Sequence, residues 1–361
     1  MPRRHLPWLL AMALLLVLPA ASPAAPWIGV KGNQLVDENG ETVRLLGVNR
    51  SGAEYACVEE GGIFEGPTDA ASIEAMKSWH INVVRVPLNE SCWLGHSWIE
   101  QRLSGSAYRA AVREYVTALE DAGLYVILDL HWAAPRHEIA TGLLPLPDAE
   151  HAPEFWRSVA TEYRDDRAVI FDLYNEPHDV SWECWEAACQ TYDKWFGWYQ
   201  SVGLPELLKV VRATGARQPV MLGGLDWSRD LRGWLGHKPK DRAVVAANHT
   251  YDFSLCDSVC RQTLARIARH VPVVTGELGQ GDCSHWYIDP YMKWADRHGI
   301  SYLGWNWGTG GRWTCTGGPS LISDWAGSPT AFGKGFREHL RRLHRKAEAE
   351  ARKAAEAAPT T

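Results

Sequence analysis

The sequence predicts one α/β domain folded as a (β/α)8 TIM barrel, with a short β-hairpin ahead of the first barrel strand. Eight short apolar segments of strand character recur along the chain, and segments with helical periodicity separate them. The strand segments are apolar throughout, which is typical of a parallel sheet buried on both faces. The 361 residues suit one elaborated barrel, and no linker rich in Pro, Ser and Thr divides the chain.

The elements follow in chain order. Alternation around Asn39-Gly40, a strong tight-turn signal, predicts the hairpin. The predicted strands are residues 43–49, 81–86, 124–130, 168–174, 219–222, 243–247, 271–275 and 300–305. The predicted helices are residues 69–80 (capped by Thr68), 106–122, 152–163, 185–200, 204–214, 256–270, 287–298 and a last one from residue 336.

Two terminal segments are expected to lie outside the barrel domain, residues 26–345. In residues 1–25, Arg3 and Arg4 precede an apolar run at 9–18 and small residues at 20–25, the pattern of a secretory signal peptide. A membrane anchor is the alternative, but about ten apolar residues are short for a span of about 20. We therefore expect a secreted protein, extracellular or periplasmic. Residues 346–361 contain few apolar side chains and are expected to fray or be disordered.

The charge balance disfavours some partners. The formal net charge is −6, and it becomes −8 if Arg3 and Arg4 leave with the signal peptide. An acidic chain does not attract nucleic acid, so a neutral or weakly polar substrate fits better. No second apolar segment reaches transmembrane length. We expect a monomer with no membrane partner after signal removal, no metal and no cofactor.

The eight cysteines are expected to form disulfides, because their number is even and the chain is predicted to be exported. Zinc sites use clustered ligands at two-residue spacings, which the chain lacks. Two pairs are suggested by short spacing and two are guesses: Cys184–Cys189 and Cys256–Cys260, then Cys57–Cys92 and Cys283–Cys315.

Polar side chains stand where the apolar strands stop, and these strand ends converge on the face of a barrel that carries active sites. Glu176 and Glu277 follow strands four and seven, so the two carboxylates can face each other across the cavity. Hydrolysis of a glycosidic bond needs such a pair. The alternative is that one of them is a structural ion-pair partner, for example of Arg85. Sequence does not measure the gap between them, which distinguishes retention from inversion.

The segment LYNEP at residues 173–177 resembles the acid/base signature of glycoside hydrolase family five, the cellulase family, in the retaining clan of (β/α)8 glycosidases. The resemblance extends from Gly47 to Trp305, and its matches occur in order at strand ends. The matching residues are Arg85 in VVRVP, His131 in DLHW, Asn175 and Glu176, His249 and Tyr251 in NHTY, Glu277 in TGELG, and Trp305.

The resemblance implies a role for each matching residue. Glu277 would attack the anomeric carbon, and Glu176 would protonate the leaving oxygen and later deprotonate water. Arg85 and Tyr251 would keep Glu277 ionised and oriented. The sugar would be bound by Asn175 at its 2-hydroxyl, by His131 and His249 at other hydroxyls, and by Trp305 beneath the ring.

Tryptophan is abundant, with 19 residues against 7 phenylalanines. Trp132 and Trp227 follow strands three and five, so they either stack on sugars or pack beneath a loop. A Cys57–Cys92 bond and the long loop 133–153 would wall the cleft. The resemblance, together with the predicted signal peptide, implies a secreted endo-β-1,4-glucanase that acts on β-linked oligo- or polysaccharides by two-glutamate double displacement. An exo-acting β-glucosidase, a β-mannanase and an inactive carbohydrate-binding barrel are the alternatives.

Overall fold

A computed structural model describes residues 27–59, 61–282, 284–309 and 318–357. The predicted signal peptide and the predicted Cys283–Cys315 pair lie outside these residues. The strands are β1 Gly29–Lys31, β2 Gln34–Val36, β3 Thr42–Val43, β4 Leu46–Asn49, β5 Val83–Asn89, β6 Tyr125–Trp132, β7 Val169–Asp172, β8 Gln190–Asp193, β9 Gly197–Gln200, β10 Val220–Gly223, β11 Val244–Tyr251, β12 Val273–Gly279 and β13 Ser301–Gly304. The α-helices are α1 Ala56–Glu59, α2 Ala70–Lys77, α3 Glu90–Leu94, α4 Ser106–Asp121, α5 Ala152–Glu162, α6 Trp182–Glu186, α7 Leu204–Ala213, α8 Leu225–Ser228, α9 Trp234–His237, α10 Ser258–Ile267, α11 Ile288–Arg297 and α12 Ala331–Ala357, with a 3-10 helix at Gln101–Leu103.

Eight parallel strands close the barrel in the order β4-β5-β6-β7-β10-β11-β12-β13, and β13 returns to β4. Each of the eight predicted strand segments contributes one of them, so the (β/α)8 prediction is confirmed. The first strand begins later than predicted. Val43 belongs instead to β3 of a small antiparallel sheet, because it pairs with Leu35.

That sheet, β1-β2-β3, is the predicted hairpin with one additional strand. The turn between β2 and β3 contains Gly40 at φ +80°, a conformation that glycine adopts without steric cost. Ile28 and Leu35 pack with the apolar side chains inside the barrel. The sheet therefore covers the N-terminal end of the barrel, opposite the face on which the strands end.

The barrel strands separate two apolar layers by alternation. Along β6, Tyr125 and Ile127 point into the barrel, whereas Val126 and Leu128 point outward to the helices. Interior side chains from other strands complete the inner layer: Val83, Ile170, Met221, Val245, Ala247, Val274 and Leu303. This packed interior supports whatever side chains lie above it at the C-terminal ends of the strands.

The prediction of a helix at residues 185–200 is wrong. Only α6, Trp182–Glu186, is helical there, and β8 and β9 then form an antiparallel hairpin. Tyr and Trp favour strands, and the Asp193 carboxylate accepts hydrogen bonds from the backbone N–H groups of Trp195 and Phe196, at 2.7 and 2.9 Å, which stabilises the turn. We refer to residues 190–200 as the aromatic hairpin.

Two further boundaries differ from the prediction. Helix α2 is capped by Asp69 rather than Thr68, because the Asp69 carboxylate accepts a 2.9 Å hydrogen bond from the N–H of Ser72. The tail expected to fray after residue 345 continues as α12 to Ala357, with exposed side chains. Its Ala, Glu, Lys and Arg content favours helix, and Lys346 pairs with Glu350 one turn on.

Three of the predicted cysteine pairs are disulfides: Cys57–Cys92, Cys184–Cys189 and Cys256–Cys260. The first joins α1 to α3, and so links the loops that follow the first two barrel strands. None of the helices among the described residues is both long enough and apolar enough to span a bilayer.

Close packing between the first two barrel strands predicts a strict size limit at Gly47. A β-carbon there would lie 2.0 Å from the backbone oxygen of Val83, so Gly47→Ala must force β4 and β5 apart. We expect it to lower the free energy of unfolding by about 1–3 kcal/mol, measured by urea denaturation. Gly236→Ala, where nothing lies within 4 Å of the added carbon, is the matched control and should cause no loss. Equal stability of the two variants would contradict the packing argument.

Candidate active site

The interior side chains change from apolar to polar at the C-terminal ends of the strands. On β6 the same face carries Tyr125 and Ile127 below and His131 above, with Asp129 between them. On β5, Arg85 follows Val83 in the same way. Because every second residue of a strand points into the barrel, the strands together place one layer of polar side chains on top of the packed apolar interior.

Arg85 is the centre of this layer. It is fully buried, and its three nitrogens lie 2.9–3.0 Å from five oxygens, four of them hydrogen-bond acceptors and the fifth, on Asp129, an ion-pair partner. These oxygens belong to the side chains of Asn49, Asp129, Asp172, Asn175 and Glu277. A guanidinium suits this position because its donors form a planar fork and its charge is permanent.

The buried charges perturb one another. Burial opposes the charge on Arg85, but the carboxylates around it outweigh burial and raise its pKa. Burial raises the pKa of Asp129 to about 7 and that of Asp172 to about 6, against the attraction of Arg85. The layer is therefore held together by one cation shared among more acids than it neutralises.

Glu277 is fixed by two contacts. One of its oxygens accepts a 2.9 Å hydrogen bond from Arg85, and the other accepts a hydrogen bond from the hydroxyl of Tyr251. The side chain is almost completely buried beneath the cleft. Glu277 is thus held in one orientation, with a cation on one side and a hydroxyl donor on the other.

Glu176 lies across from it. His249 Nδ1 is 3.0 Å from one oxygen of Glu176 and 3.5 Å from one of Glu277, and one oxygen of each acid lies within 4.8 Å of the other. Burial raises the pKa of Glu176 to about 8. Glu176 also has a positive φ of 54°, a strained conformation for a non-glycine residue that is often found at functional sites. One acid is thus protonated at neutral pH beside a tightly bound carboxylate.

The same three side chains satisfy the geometry of a cation site. However, Arg85 already supplies a positive charge to Glu277, and Tyr251 engages the second oxygen of that carboxylate. Such an arrangement matches an acid/base pair better than a set of metal ligands. The predicted absence of a metal stays a prediction.

His131 and His249 are both neutral at neutral pH, because burial lowers the pKa of each to about 4. His131 Nδ1 lies 2.6 Å from Asp129, and its ring stacks nearly parallel to Trp305 at 5.5 Å. If Nδ1 carries the proton, Nε2 is left as an acceptor facing the Asn175 amide at 3.4 Å. The histidines are therefore suited to hydrogen bonding rather than to carrying charge.

A cleft of about 580 Å³ opens above the acids. Nine of the ten site residues predicted from sequence line it: His131, Trp132, Asn175, Glu176, Trp227, His249, Tyr251, Glu277 and Trp305. The tenth, Arg85, contacts Glu277 from below. The structure therefore brings all ten together.

Sequence reasoning missed three contributors. Asp172 binds Arg85, and its position two residues after inward-facing Ile170 was the signal that could have found it. Phe253 stacks on Tyr251 at 4.9 Å at the rim. The third is His178, whose ring stacks on Trp227 at 3.7 Å. No sequence pattern signals either of these ring contacts.

Trp227 is presented to the cleft by an unusual turn. Asp226, Trp227 and Ser228 all have positive φ, between 53° and 61°, and the N–H of Trp227 donates to the carbonyl of Pro177. The indole remains 44% exposed although it stacks on His178. Three successive non-glycine residues in this conformation are strained, and such strain clusters at binding and active sites.

The family model described as Cellulase (glycosyl hydrolase family 5) matches residues 36–311. The chain is 21% identical over 288 residues to an endoglucanase of Clostridium saccharobutylicum, covering 77% of this chain and 56% of the relative. It is 25% identical over 331 residues to endoglucanase MaCel5A of Microbulbifer sp. (strain ALW1), covering 86% and 57%. The chain thus spans little more than half the length of these relatives.

Solved structures share the fold. The β-glucanase SdGluc5_26A of Saccharophagus degradans is 20% identical with a TM-score of 0.68, covering 89% of this chain and 94% of that one. Its complex with cellotetraose has a TM-score of 0.67 at 20% identity and covers 91% and 99%. The likeness in fold agrees with the match to the family model over most of the barrel. The chain therefore belongs to the cellulase family, glycosyl hydrolase family 5.

Proposed function

We propose that the protein is a retaining β-glucanase that cleaves β-1,4-glucan internally, with Glu277 as nucleophile and Glu176 as acid/base. The observation that carries this proposal is the pair itself: two acid oxygens lie within 4.8 Å, one acid has a pKa that burial raises to about 8, and the other acid is held by Arg85 and Tyr251. Retaining glycosidases place their carboxyl groups about 5–5.5 Å apart, whereas inverting ones need about 6.5–9.5 Å to admit a water. The short gap supports retention.

In the first step, a Glu277 oxygen attacks the anomeric carbon while Glu176 donates its proton to the glycosidic oxygen. The bond to the leaving sugar breaks, and a glycosyl ester forms on Glu277. Attack uses the electron pair of a carboxylate that Arg85 and Tyr251 keep in place. In the second step, Glu176 removes a proton from water, and the resulting oxygen displaces Glu277 with net retention.

Neighbouring side chains support the sugar during these steps. Asn175 is oriented by Arg85 through its amide oxygen, and one N–H of its amide faces His131, which leaves the other N–H for a sugar hydroxyl. His249 contacts both acids, and because it is neutral it does not stabilise the ionised form of Glu176 by charge. Trp305, backed by His131, forms a flat apolar surface at the cleft. Such contacts orient the reacting carbon between the two acids.

The substrate proposal rests on the comparisons and on the cleft. Both relatives named above are endoglucanases, and one structure of the same fold was solved with cellotetraose. Three tryptophans, Trp132, Trp227 and Trp305, line the cleft and suit the flat faces of glucose rings. We also propose that the protein is exported and acts as a monomer; its disulfides support export.

Removing either acid tests the proposal. Glu277→Gln should lower kcat on soluble β-1,4-glucan by at least about 1,000-fold, and Glu176→Gln by about 100–10,000-fold. The wild type should release the β-anomer first, and proton NMR of the fresh products would detect it. Glu138→Gln, at an exposed loop position, is the matched control and should retain activity. Wild-type activity in Glu277→Gln, or initial release of the α-anomer, would contradict the mechanism.

A substrate panel tests the specificity. We expect β-1,4-glucan to be cut faster than β-mannan, with viscosity falling early relative to the release of reducing ends. Slow loss of viscosity with immediate release of glucose would instead indicate the exo-acting alternative. Preference for mannan would indicate the mannanase alternative.

The raised pKa of Glu176 predicts the alkaline limit of activity. Since Glu176 must be protonated to assist departure, kcat/KM on an aryl β-cellobioside with a poor leaving group should fall as the pH rises through about 8. A 2,4-dinitrophenyl leaving group needs little protonation, so its kcat/KM should not fall in this range. The assignment would be wrong if both substrates lost activity with the same midpoint.

Replacing Arg85 should lower the stability of the protein by an amount that depends on pH. Without it, buried Asp129, Asp172 and Glu277 have no counterion, so Arg85→Met should lose about 3–5 kcal/mol at pH 8. At pH 5 the loss should be smaller, because these acids then bind protons in the folded variant while carboxyls of pKa about 4 in the unfolded chain mostly do not. Urea unfolding at both pH values measures this.

The matched control is Arg212→Met, which removes an arginine paired with Asp241 nearer the surface. Its loss should be smaller and nearly equal at pH 5 and pH 8. If the two variants lost the same stability at both pH values, the shared role of Arg85 among the buried acids would be refuted.

A further inference from the structure

The aromatic hairpin exposes large rings that the core does not use. Tyr192, Trp195 and Trp198 are 54%, 79% and 67% exposed, whereas buried positions hold most of the other aromatic side chains among the described residues. Tyr192 and Trp198 lie opposite each other on one face of β8 and β9 and contact edge to face at 5.5 Å. Leaving such apolar surface in water is unfavourable unless it binds something.

The amides of the hairpin lie on the same exposed face. Gln190 pairs with Gln200 across the strands, and their side chains form a 2.8 Å hydrogen bond. Rings beside amide donors and acceptors match a sugar, which offers apolar ring faces and hydroxyl groups at its edges. The Gln200 amide also donates to the carbonyls of Cys189 and Ser201, so the two amides are held in place beside the rings.

The hairpin is held firmly by its other face. The hydroxyl of Tyr199 donates a 2.7 Å hydrogen bond to the carbonyl of Leu146, and Arg136 donates to the carbonyls of Phe196 and Trp198. The Cys184–Cys189 bond closes its base. Because the rings are already positioned, binding a ligand would require little ordering of the protein.

A groove of about 1,280 Å³ runs between the hairpin and the barrel. We call it the hairpin groove; the rings that line it belong to Trp132, His178, Tyr192, Trp195, Trp198 and Trp227. Trp132 and Trp227 also line the catalytic cleft, so the two spaces adjoin each other. The groove is larger than the cleft and can take several further sugars.

The position of the groove indicates which end of the glycan it takes. Glu176 lines the cleft, as do Glu277, Tyr251 and Trp305, and none of the four lines the groove. His178 lines the groove, and its Nδ1 lies 2.8 Å from the backbone oxygen of Glu176, so the groove adjoins the side of the cleft that carries the proposed acid. The acid protonates the oxygen of the departing sugar, so the leaving chain begins beside Glu176. From there it would pass between Trp132 and Trp227 into the hairpin groove.

We propose that the hairpin groove binds the leaving, reducing-end portion of a β-glucan chain, with Tyr192 and Trp198 stacking on its sugars. This proposal rests on the proposed function, since it needs the cleft to be the site of cleavage. It concerns a single soluble chain of β-linked glucose. Flat binding to a cellulose surface is the competing outcome, and the experiment distinguishes the two.

The test compares a long substrate with a short one in the double variant Tyr192→Ala/Trp198→Ala. Cellohexaose can reach the groove, whereas the aryl group of an aryl β-cellobioside ends near Glu176. The ratio of kcat/KM for cellohexaose to that for the aryl substrate should fall about tenfold. Trp286→Ala removes a 57% exposed tryptophan outside both spaces and should leave the ratio unchanged.

Product analysis with cellohexaose carrying 18O at its reducing-end C1 shows which end of the substrate lies in the hairpin groove. Loss of leaving-side binding should move the cut toward the reducing end, so that labelled products become shorter in the double variant. An unchanged ratio, or longer labelled products, would overturn the proposal. So would loss of adsorption to insoluble cellulose with an unchanged ratio. If the wild type cleaves neither substrate, the proposed function itself fails, independently of the hairpin.

Discussion

One buried guanidinium organises the polar end of this barrel. Arg85 lies on β5, and its side chain contacts side chains at the ends of four other strands: β4, β6, β7 and β12. Burying charges at such a site is costly, and a buried network of this kind is weak grounds for stability by itself. The apolar side chains inside the barrel lie directly below this layer. What the network supplies is orientation: Asn175 and Glu277 point into the cleft because Arg85 holds them there.

The two acids differ because their surroundings differ. Glu277 has a cation and a hydroxyl donor at its oxygens, whereas Glu176 contacts a neutral histidine and is raised in pKa by burial. Two carboxyl groups this close cannot both be charged without mutual repulsion, so the asymmetry decides which one keeps the proton. During proposed turnover, esterification of Glu277 removes its charge, which lowers the cost of ionising Glu176. The same pair can then act as acid in one step and base in the next.

The fold and the acids could be predicted from sequence because each had a repeated signal. Eight apolar segments, each followed by polar residues, specify both the barrel and the face on which Glu176 and Glu277 meet. The aromatic hairpin had no such repeat: Trp, Tyr and Cys at 185–200 are compatible with helical or extended spacing, and only the turn at Asp193 and Gly197 decides between them. Distances, the stacking of His178 on Trp227 and the pKa of Glu176 depend on residues far apart in sequence, and a local pattern does not contain them.

The tryptophans of the chain divide according to what they touch. Trp79, Trp93, Trp156, Trp185 and Trp234 are fully buried, and several donate their indole N–H to a backbone carbonyl, which marks them as structural. Trp227 and Trp198 keep large exposed faces although the protein holds their backbones rigidly, one by a strained turn and the other by Arg136. Rigid and exposed rings are costly for folding and useful for binding, because the ligand then supplies the missing contacts without ordering the protein. The fully buried tryptophans therefore serve packing, and the rigid, exposed rings of Trp227 and Trp198 are the ones that we propose for binding.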